Sequence, residues 1–274
     1  SNISLGECLA ELGVSEWFKN YYLLAMGGAI WSTPIEKMMD YPARSFIQFF
    51  ENHGLLTVNE QPQWYTVTGG SREYIKKLTA NFKDKILLNN GVKKVHREGM
   101  KIKIIDQNYN ELIFDKVIFA CHSDQALNLL AAPTNPEKEI IGAIKYQKNN
   151  IIVHSDESFM PKQKTAWSSW VYLSESKHDA KPKVCLSYWM NKLQNLKTKT
   201  QVIVTLNTER KPKNIYDEYE FEHPVFDEAA IIAQGKIGNI QGQNNTYYCG
   251  AYLKYGFHED GFASGVRVAN LIGE

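Results

Sequence analysis

Apolar residues recur along this chain with two different periods, and its last thirty residues show both. Thr246 to Cys249 form a short continuous run of β-branched, aromatic and small apolar residues, the pattern of a buried strand, and Gly250 closes it. From Ala263, the residues Val266, Val268, Ala269 and Ile272 return at helical spacing. The order is strand, glycine-rich loop, helix. A helix start presents unpaired N–H groups and a positive partial charge, which suit a phosphate, a carboxylate or an electron-rich ring edge. An ordinary strand-to-helix turn has the same pattern, so periodicity alone leaves both readings open.

The opening reads as helical. Ser4 and Glu7 make a capping box for a helix carrying Leu9 and Leu12, and Ser15 caps a second helix through Trp17, Phe18, Tyr21, Tyr22 and Leu24. Pro34 and Pro42 each fit a helix start, and Phe46, Ile47, Phe49 and Phe50 face a core before Gly54. Strands are expected at 64–67, 85–88, 92–96, 101–105, 111–114 and 116–121, with a helix at 72–82 after Gly69, Gly70 and a Ser71 cap, and another at 123–130 for which His122 is a candidate cap. From 149 to 207 the pattern changes to separated strands at 151–154, 166–173, 184–189 and 201–206, which predict an antiparallel sheet. In the second of these, alternation sets Trp167, Val171 and Leu173 against Trp170 and Tyr172. A helix at 228–234 leads back to the closing segment. Lysine-rich stretches at 177–183, 197–200 and 211–213 read as solvated turns.

Composition narrows the class without choosing a function. The 274 residues are 43% hydrophobic and 22% charged, enough for a sizeable core in one large or two modest domains. The formal net charge of +1, with scattered basic residues, gives no reason to expect nucleic acid. The four cysteines are far apart and form no CxxC pair, which fits buried thiols in a reducing, cytoplasmic setting. No apolar run is long enough to span a bilayer. His258, Glu259 and Asp260 are adjacent and have no HxH or HExxH partner, so a metal site has no support, and no serine lies in a GxSxG elbow.

The closing stretch CGAYLKYGFHEDGFASGVRVA resembles the final motif of the flavin-containing amine oxidase and phytoene-desaturase-like oxidoreductases, in the predicted NAD/FAD-binding branch. AIWSTP at 29–34, ENHGLL at 51–56, PQWYTVTGGSREY at 62–74 and HPVFD at 223–227 point the same way, so the resemblance spans nearly the whole chain. It implies an α+β flavoprotein fragment: an incomplete FAD-binding domain interwoven with a substrate domain of antiparallel sheet and helices. The expected segments are a helical substrate-side part at 3–61, a flavin-side part with a β-meander at 62–130, the antiparallel sheet at 131–224, and the closing strand and helix at 225–274.

The resemblance also implies site residues. Gly250, Ala251, Gly261, Phe262, Ala263, Ser264 and Gly265 are expected beside the flavin ring and its ribityl chain, and Val92 at the adenine. Many relatives carry an acidic residue directly after the strand-ending glycine, where this chain has Ala251; Glu259 and Asp260 are the candidates to replace it. Trp31, His53, Trp64 and Tyr255 are the substrate-pocket candidates, with Lys254 a further residue near the ring. For Trp31 and His53, a place in the core remains the competing reading.

A Rossmann-type flavin site also needs a strand, a GxGxxG turn and a helix start to hold the pyrophosphate. This sequence contains no GxGxxG. The expectation is therefore the back part of a larger FAD enzyme, with weak or absent FAD binding and no turnover alone. A small-molecule substrate belongs to the parent enzyme. The fragment itself is expected either to self-associate or to receive the missing half in trans; the competing reading is a non-catalytic module that binds an apolar ligand or a partner, or one chain of a split flavoprotein.

Overall fold

The computed structural model describes residues 3–31, 35–57, 59, 63–174 and 184–273. The expected Pro34 helix start and the turn at 177–183 lie outside these residues. In chain order the elements are α1 (Leu5–Glu11), α2 (Glu16–Phe18), α3 (Leu24–Trp31), α4 (Ile35–Met38), α5 (Ala43–Asn52) and α6 (Arg72–Thr79). Next come β1 (Val92–Glu98), β2 (Lys101–Asp106), β3 (Glu111–Phe114), β4 (Val117–Phe119), α7 (Ser123–Leu129) and α8 (Asn135–Ile140). The chain then forms β5 (Lys145–His154), β6 (Trp170–Ser174), β7 (Val184–Trp189), α9 (Met190–Leu193), β8 (Ile203–Leu206) and β9 (Ile215–Val225). It ends with α10 (Glu228–Lys236), β10 (Thr246–Tyr248) and α11 (His258–Gly273). The mixed α+β class read from the sequence is the class observed.

Two compact units form, Ser1–Lys83 with Gln147–His223, and Asp84–Tyr146 with Pro224–Glu274. In the first, the Ser4–Glu7 capping box is present, and Leu5 and Leu9 are buried while Leu12 lies exposed at the helix end. A π-helical turn at Lys19–Leu23 joins α2 to α3. It leaves Trp17, Phe18, Tyr21 and Tyr22 on the surface, whereas Leu24 is buried. In α5 Phe46, Phe49 and Phe50 are buried, but Ile47 points outward because it falls off the apolar stripe.

The same unit carries a five-stranded sheet of order β6-β7-β8-β5-β9, with β6–β7, β7–β8 and β5–β8 antiparallel. Trp167 and Val171 are buried with Leu173 packed on them, and Trp170 is exposed, as alternation predicts. The long edge strand β9 escaped the sequence reading because its acidic and aromatic residues, Tyr216 to Phe221, are exposed on both faces.

Three local expectations fail here and at the boundary. Residues 64–67 form no strand: Trp64 and Tyr65 are exposed and, among the described residues, meet no partner backbone in a ladder. Residues 86–88 likewise stay irregular, since Ile86, Leu87 and Leu88 have strand propensity but, among the described residues, no strand to pair with. Ser71 begins α6 in helical conformation and makes no side-chain cap; Gly69 and Gly70, both at φ +85°, make the turn instead. No residue of α6 is buried.

The second unit holds the meander β1-β2-β3 and a parallel pair, β4 with β10, in which Thr246, Tyr247 and Tyr248 register with Val117, Ile118 and Phe119. One face of the pair enters a core of Val117, Phe119, Tyr248, Val95, Ile102 and Ala126. The other packs Tyr247 and Cys249 against Val268 and Ile272 of α11. Within this unit a buried ion pair crosses from β1 to α8. Arg97 donates to both Glu137 oxygens at 2.6 and 3.0 Å, the Thr134 N–H donates to Glu137 at 2.7 Å, and the Tyr248 hydroxyl donates at 2.8 Å.

Candidate functional site: the carboxyl ends of a parallel strand pair

Both strands of the parallel pair run into helices at their carboxyl ends. β4 leads through residues 120–122 into α7, and β10 leads through residues 249–257 into α11. In open parallel sheets ligands bind outside the carboxyl ends of the strands, where loops and helix starts converge. The closing segment singled out by its pattern therefore lies at the place that topology favours for a ligand.

The loop after β10 is tightly built. A Cβ on Gly250 would come within 2.4 Å of the Tyr252 ring, which is itself buried, so only glycine fits there. Ser264 is buried; its Oγ accepts the Gly250 N–H at 2.9 Å and donates to the Gly261 carbonyl at 2.7 Å. Asp260, also buried, accepts the N–H groups of Tyr255 and Phe257 at 3.2 and 3.1 Å. These bonds make α11 begin at His258 and not near Ala263, because the Asp260 carboxylate organises the loop one turn earlier.

The glycines then fall inside the first two turns. Gly261 and Gly265 are four residues apart and share one flank of α11. A Cβ on Gly261 would make only ordinary contact with Ala251 at 3.7 Å, and one on Gly265 would meet nothing within 4 Å. Phe262 and Val266 are exposed. The result is a flank of bare backbone, half-buried Ala251 and Ala263, and one exposed aromatic ring. It fits the flat face of a ring system. Of the two acidic candidates to replace the family's carboxylate, Asp260 is committed to loop N–H groups, and Glu259 is exposed.

Across the loops lies a set of groups of which the sequence reading singled out only His122. The Tyr146 hydroxyl accepts the Ser123 N–H at 2.9 Å and donates to Ser123 Oγ at 3.3 Å, and the His122 ring stacks on Tyr146 at 4.2 Å. His122 precedes α7 but its side chain makes no cap bond. Burial pushes the Tyr146 hydroxyl up to about 12, and raises Cys121 and Cys249 above the ordinary thiol value, so all three stay protonated near neutrality. The Tyr252 hydroxyl is buried near Tyr146, Cys121 and Cys249, which together with burial raise its pKa, and it has no hydrogen-bond partner among the described residues. No spacing signal in the sequence joins Tyr146 to Tyr252; only the fold brings them together.

The remaining candidates are dispersed. Val92 begins β1, partly exposed, at a bulge in the β1–β2 ladder. Trp31 is buried, with ring centroids 4.8 Å from Tyr41 and 4.9 Å from Phe49, and so belongs to an aromatic core. His53 stacks on Phe49 at 3.9 Å, with its Nδ1 2.8 Å from the Phe49 carbonyl. Trp64 is exposed and Tyr255 is half-buried. The aromatic sheet residues Trp167 and Trp189 meet edge to face at 5.1 Å, and both indole N–H groups are bonded, to the Pro161 carbonyl and to Gln201. A groove of about 500 Å³ lies between α8 and α10, lined by Ile140, Ile232 and Ala233 with Glu139 and Lys236. Among the described residues no helix is long and apolar enough to cross a membrane, and no group of three or more His, Cys, Asp or Glu side chains could hold a metal ion.

One unit combines a parallel pair feeding helix starts with a meander and the other carries an antiparallel sheet, a mixed organisation that matches a flavin amine oxidase-like fold. The chain belongs to the flavin containing amine oxidoreductase family, which matches residues 5–209. Similar solved structures include a putrescine oxidase bound to putrescine (TM-score 0.67, 11% identity, covering 100% of this chain and 68% of that one). A fatty acid isomerase from P. acnes that produces CLA matches at TM-score 0.65 and 14% identity, over 98% of this chain and 66% of its own. Cyclohexylamine oxidase from Brevibacterium oxydans IH-35A matches at TM-score 0.61 and 9% identity, over 100% and 68%. This chain thus spans about two thirds of the length of these structures. Among curated proteins no match was found. The family match ends before β9, so any part played by α11 rests on its own geometry.

The family's cofactor is a flavin, and the residues present fit one side of it. The bare flank of α11 suits the ring, and the orphaned Tyr252 hydroxyl is an unused polar group in the same loop cluster. No residues in this sequence reproduce the glycine-rich cradle for a pyrophosphate.

Proposed function

We propose that this chain supplies the ring-side and substrate-side parts of an FAD-dependent oxidoreductase acting on an amine or an unsaturated lipid-like substrate. When bound, the flavin supplies the hydride acceptor. The chain's own residues shape its surroundings. Ser264 and Asp260 hold the loop 250–257 rigid, Gly261 and Gly265 keep the α11 flank flat, and the protonated Tyr146, Cys121 and Cys249 line the strand ends without adding charge. Ala251, Phe262 and Ala263 complete the flank, with Val92 assigned to the adenine and Trp64 and Tyr255 to the substrate side. With no phosphate cradle of its own, the chain holds FAD weakly and does not turn over alone. The observation that carries this reading is the bare Gly261/Gly265 flank at the carboxyl ends of β4 and β10.

The test is titration of FAD fluorescence with excess protein, comparing the chain with Gly265→Leu. Weak, saturable quenching that Gly265→Leu abolishes is expected. Quenching indifferent to Gly265→Leu, or none at all, would remove the ring from this flank. A second reading, one chain of a two-chain flavoprotein, is favoured by α6, whose apolar Ile75 and Leu78 are exposed.

A further inference from the structure

The two edges of the meander differ. The outer edge of β1 is closed by the chain itself: the Val95 carbonyl accepts the Ala131 N–H at 2.9 Å, and Val95 bridges Leu130 in parallel register. The outer edge of β3 has no such closure, because among the described residues β3 pairs with β2 alone. Its Leu112, Ile113 and Phe114 are 36%, 58% and 44% exposed. Consecutive large apolar residues on an unpaired strand edge are a template for another strand.

The register fixes which backbone groups point outward. Successive residues of an antiparallel ladder turn their N–H and C=O to opposite sides. The Val95 carbonyl points away from β2, so Ile104, which lies opposite it, turns towards β3. Ile104 lies opposite Leu112, and the Asp106 N–H donates to the Asn110 carbonyl at 3.1 Å, so Asn110, Leu112 and Phe114 turn towards β2. Glu111 and Ile113 therefore turn their N–H and C=O groups outward.

The sequence along this edge is close to a palindrome in polarity. Glu111, Leu112, Ile113, Phe114 and Asp115 read acid, three apolar residues, acid from either end. A second copy laid antiparallel with Ile113 opposite Ile113 brings outward groups to outward groups. It also sets Leu112 of each strand opposite Phe114 of the other, apolar cross-strand pairs of the kind that stabilise sheets. At the ends Glu111 meets Asp115. Lys103 lies 3.8 Å from Glu111, and Lys101 is paired with Asp115, so two lysines balance the two carboxylates there. Sliding by one residue opposes outward to inward groups, and sliding by two sets Ile113 against Glu111 or Asp115.

We propose that the β3 edge pairs with the β3 edge of a second copy of this chain, antiparallel about a twofold axis at Ile113, joining the two three-stranded meanders into one sheet. The pattern and the charge balance select this occupant, because both match under reversal of the strand. The assembly closes at two chains: an isologous contact uses the same patch twice, and the β1 edges left at the ends of the joined sheet are already closed by Leu130 and Ala131. A contact this short is weak and forms at high concentration. The inference rests on strand register and not on the flavin reading, and neither readout below involves flavin.

The test is sedimentation velocity of the chain from micromolar to millimolar concentration, with residue-resolved hydrogen exchange over the same range. The mass is expected to rise from one chain towards two and stop there. The Ile113 amide is expected to slow by about tenfold or more, with the Leu112 amide, already turned to β2, little changed. Ile113→Lys places a charge at an exposed edge position; it is expected to keep the melting temperature of the dilute chain and stay a single chain throughout, while Ile113→Val still pairs. A single chain at every concentration, growth beyond two, or association that Ile113→Lys leaves intact overturns the proposal. Should Ile113→Lys not fold, the exchange measurement decides alone, and equal rates at Ile113 across the range overturn the proposal.

Discussion

Ser264 fixes Gly250: its hydroxyl accepts the Gly250 N–H at 2.9 Å while donating to the carbonyl of Gly261 at 2.7 Å. One buried oxygen therefore ties the end of β10 to the second turn of α11. In Ser264→Ala the part-buried Gly250 N–H loses its acceptor, a cost of about 1 kcal/mol. Urea unfolding should show that loss, and FAD quenching should weaken with it.

Gly265 separates stability from binding. Glycine within a helix costs about 0.5–1 kcal/mol relative to alanine, and a Cβ at Gly265 meets nothing within 4 Å. Gly265→Ala is expected to raise the melting temperature of the flavin-free chain yet weaken FAD quenching. Gly235 of α10, where a Cβ also meets nothing within 4 Å, is the control, since Gly235→Ala should stabilise without touching quenching.

The Arg97–Glu137 pair is a strong test of the second unit's core. The side chains of Arg97 and Glu137 are 11% and 2% exposed. Burial alone would raise the Glu137 carboxyl, but the bonds from Arg97, the Thr134 N–H and Tyr248 outweigh it and hold the carboxyl below its ordinary value. Arg97→Met leaves a buried carboxylate without its cation, and should cost about 3–5 kcal/mol by chemical denaturation. The double variant Arg97→Met/Glu137→Leu should recover part of that loss.

His154 gives the sheet unit an acid-sensitive point. Its Nδ1 accepts the Asp156 N–H at 3.0 Å, so Nε2 carries the proton and donates to Thr205 Oγ1 at 2.7 Å, with Ser187 Oγ 2.8 Å further along. Burial first, and Arg210 in addition, hold His154 below the ordinary 6.5, against an opposing pull from Asp156. The unfolded chain then binds more protons than the folded one just below that value, so stability falls as pH drops through this window. Denaturation between about pH 7 and about pH 5 should show a steeper loss for the wild type than for His154→Gln.

Much of the fold was legible because local chemistry and final environment agree. The Ser4–Glu7 box, the meander from Val92 to Phe114 and the alternation of Trp167, Val171 and Leu173 are set by neighbours in sequence. Where a segment depends on a distant partner, the pattern misled: residues 86–88 have strand propensity and, among the described residues, nothing to pair with, and β9 hides behind a run of acidic residues. In the candidate site, the glycines and Ser264 were legible as a motif. The start of α11 was misplaced because the Asp260 carboxylate, whose bonds span only five residues, reads in sequence as one more charge. Tyr146 and Tyr252 left no local trace, since their roles come from loops the chain closes over long separations.

The most direct test is the visible spectrum of the purified chain after incubation with excess FAD and desalting. A colourless protein is predicted, because the ring-side flank alone holds the cofactor too weakly to survive removal of free FAD. A retained flavin band at one equivalent per chain would contradict this account, since the phosphate cradle would then have to lie within these 274 residues.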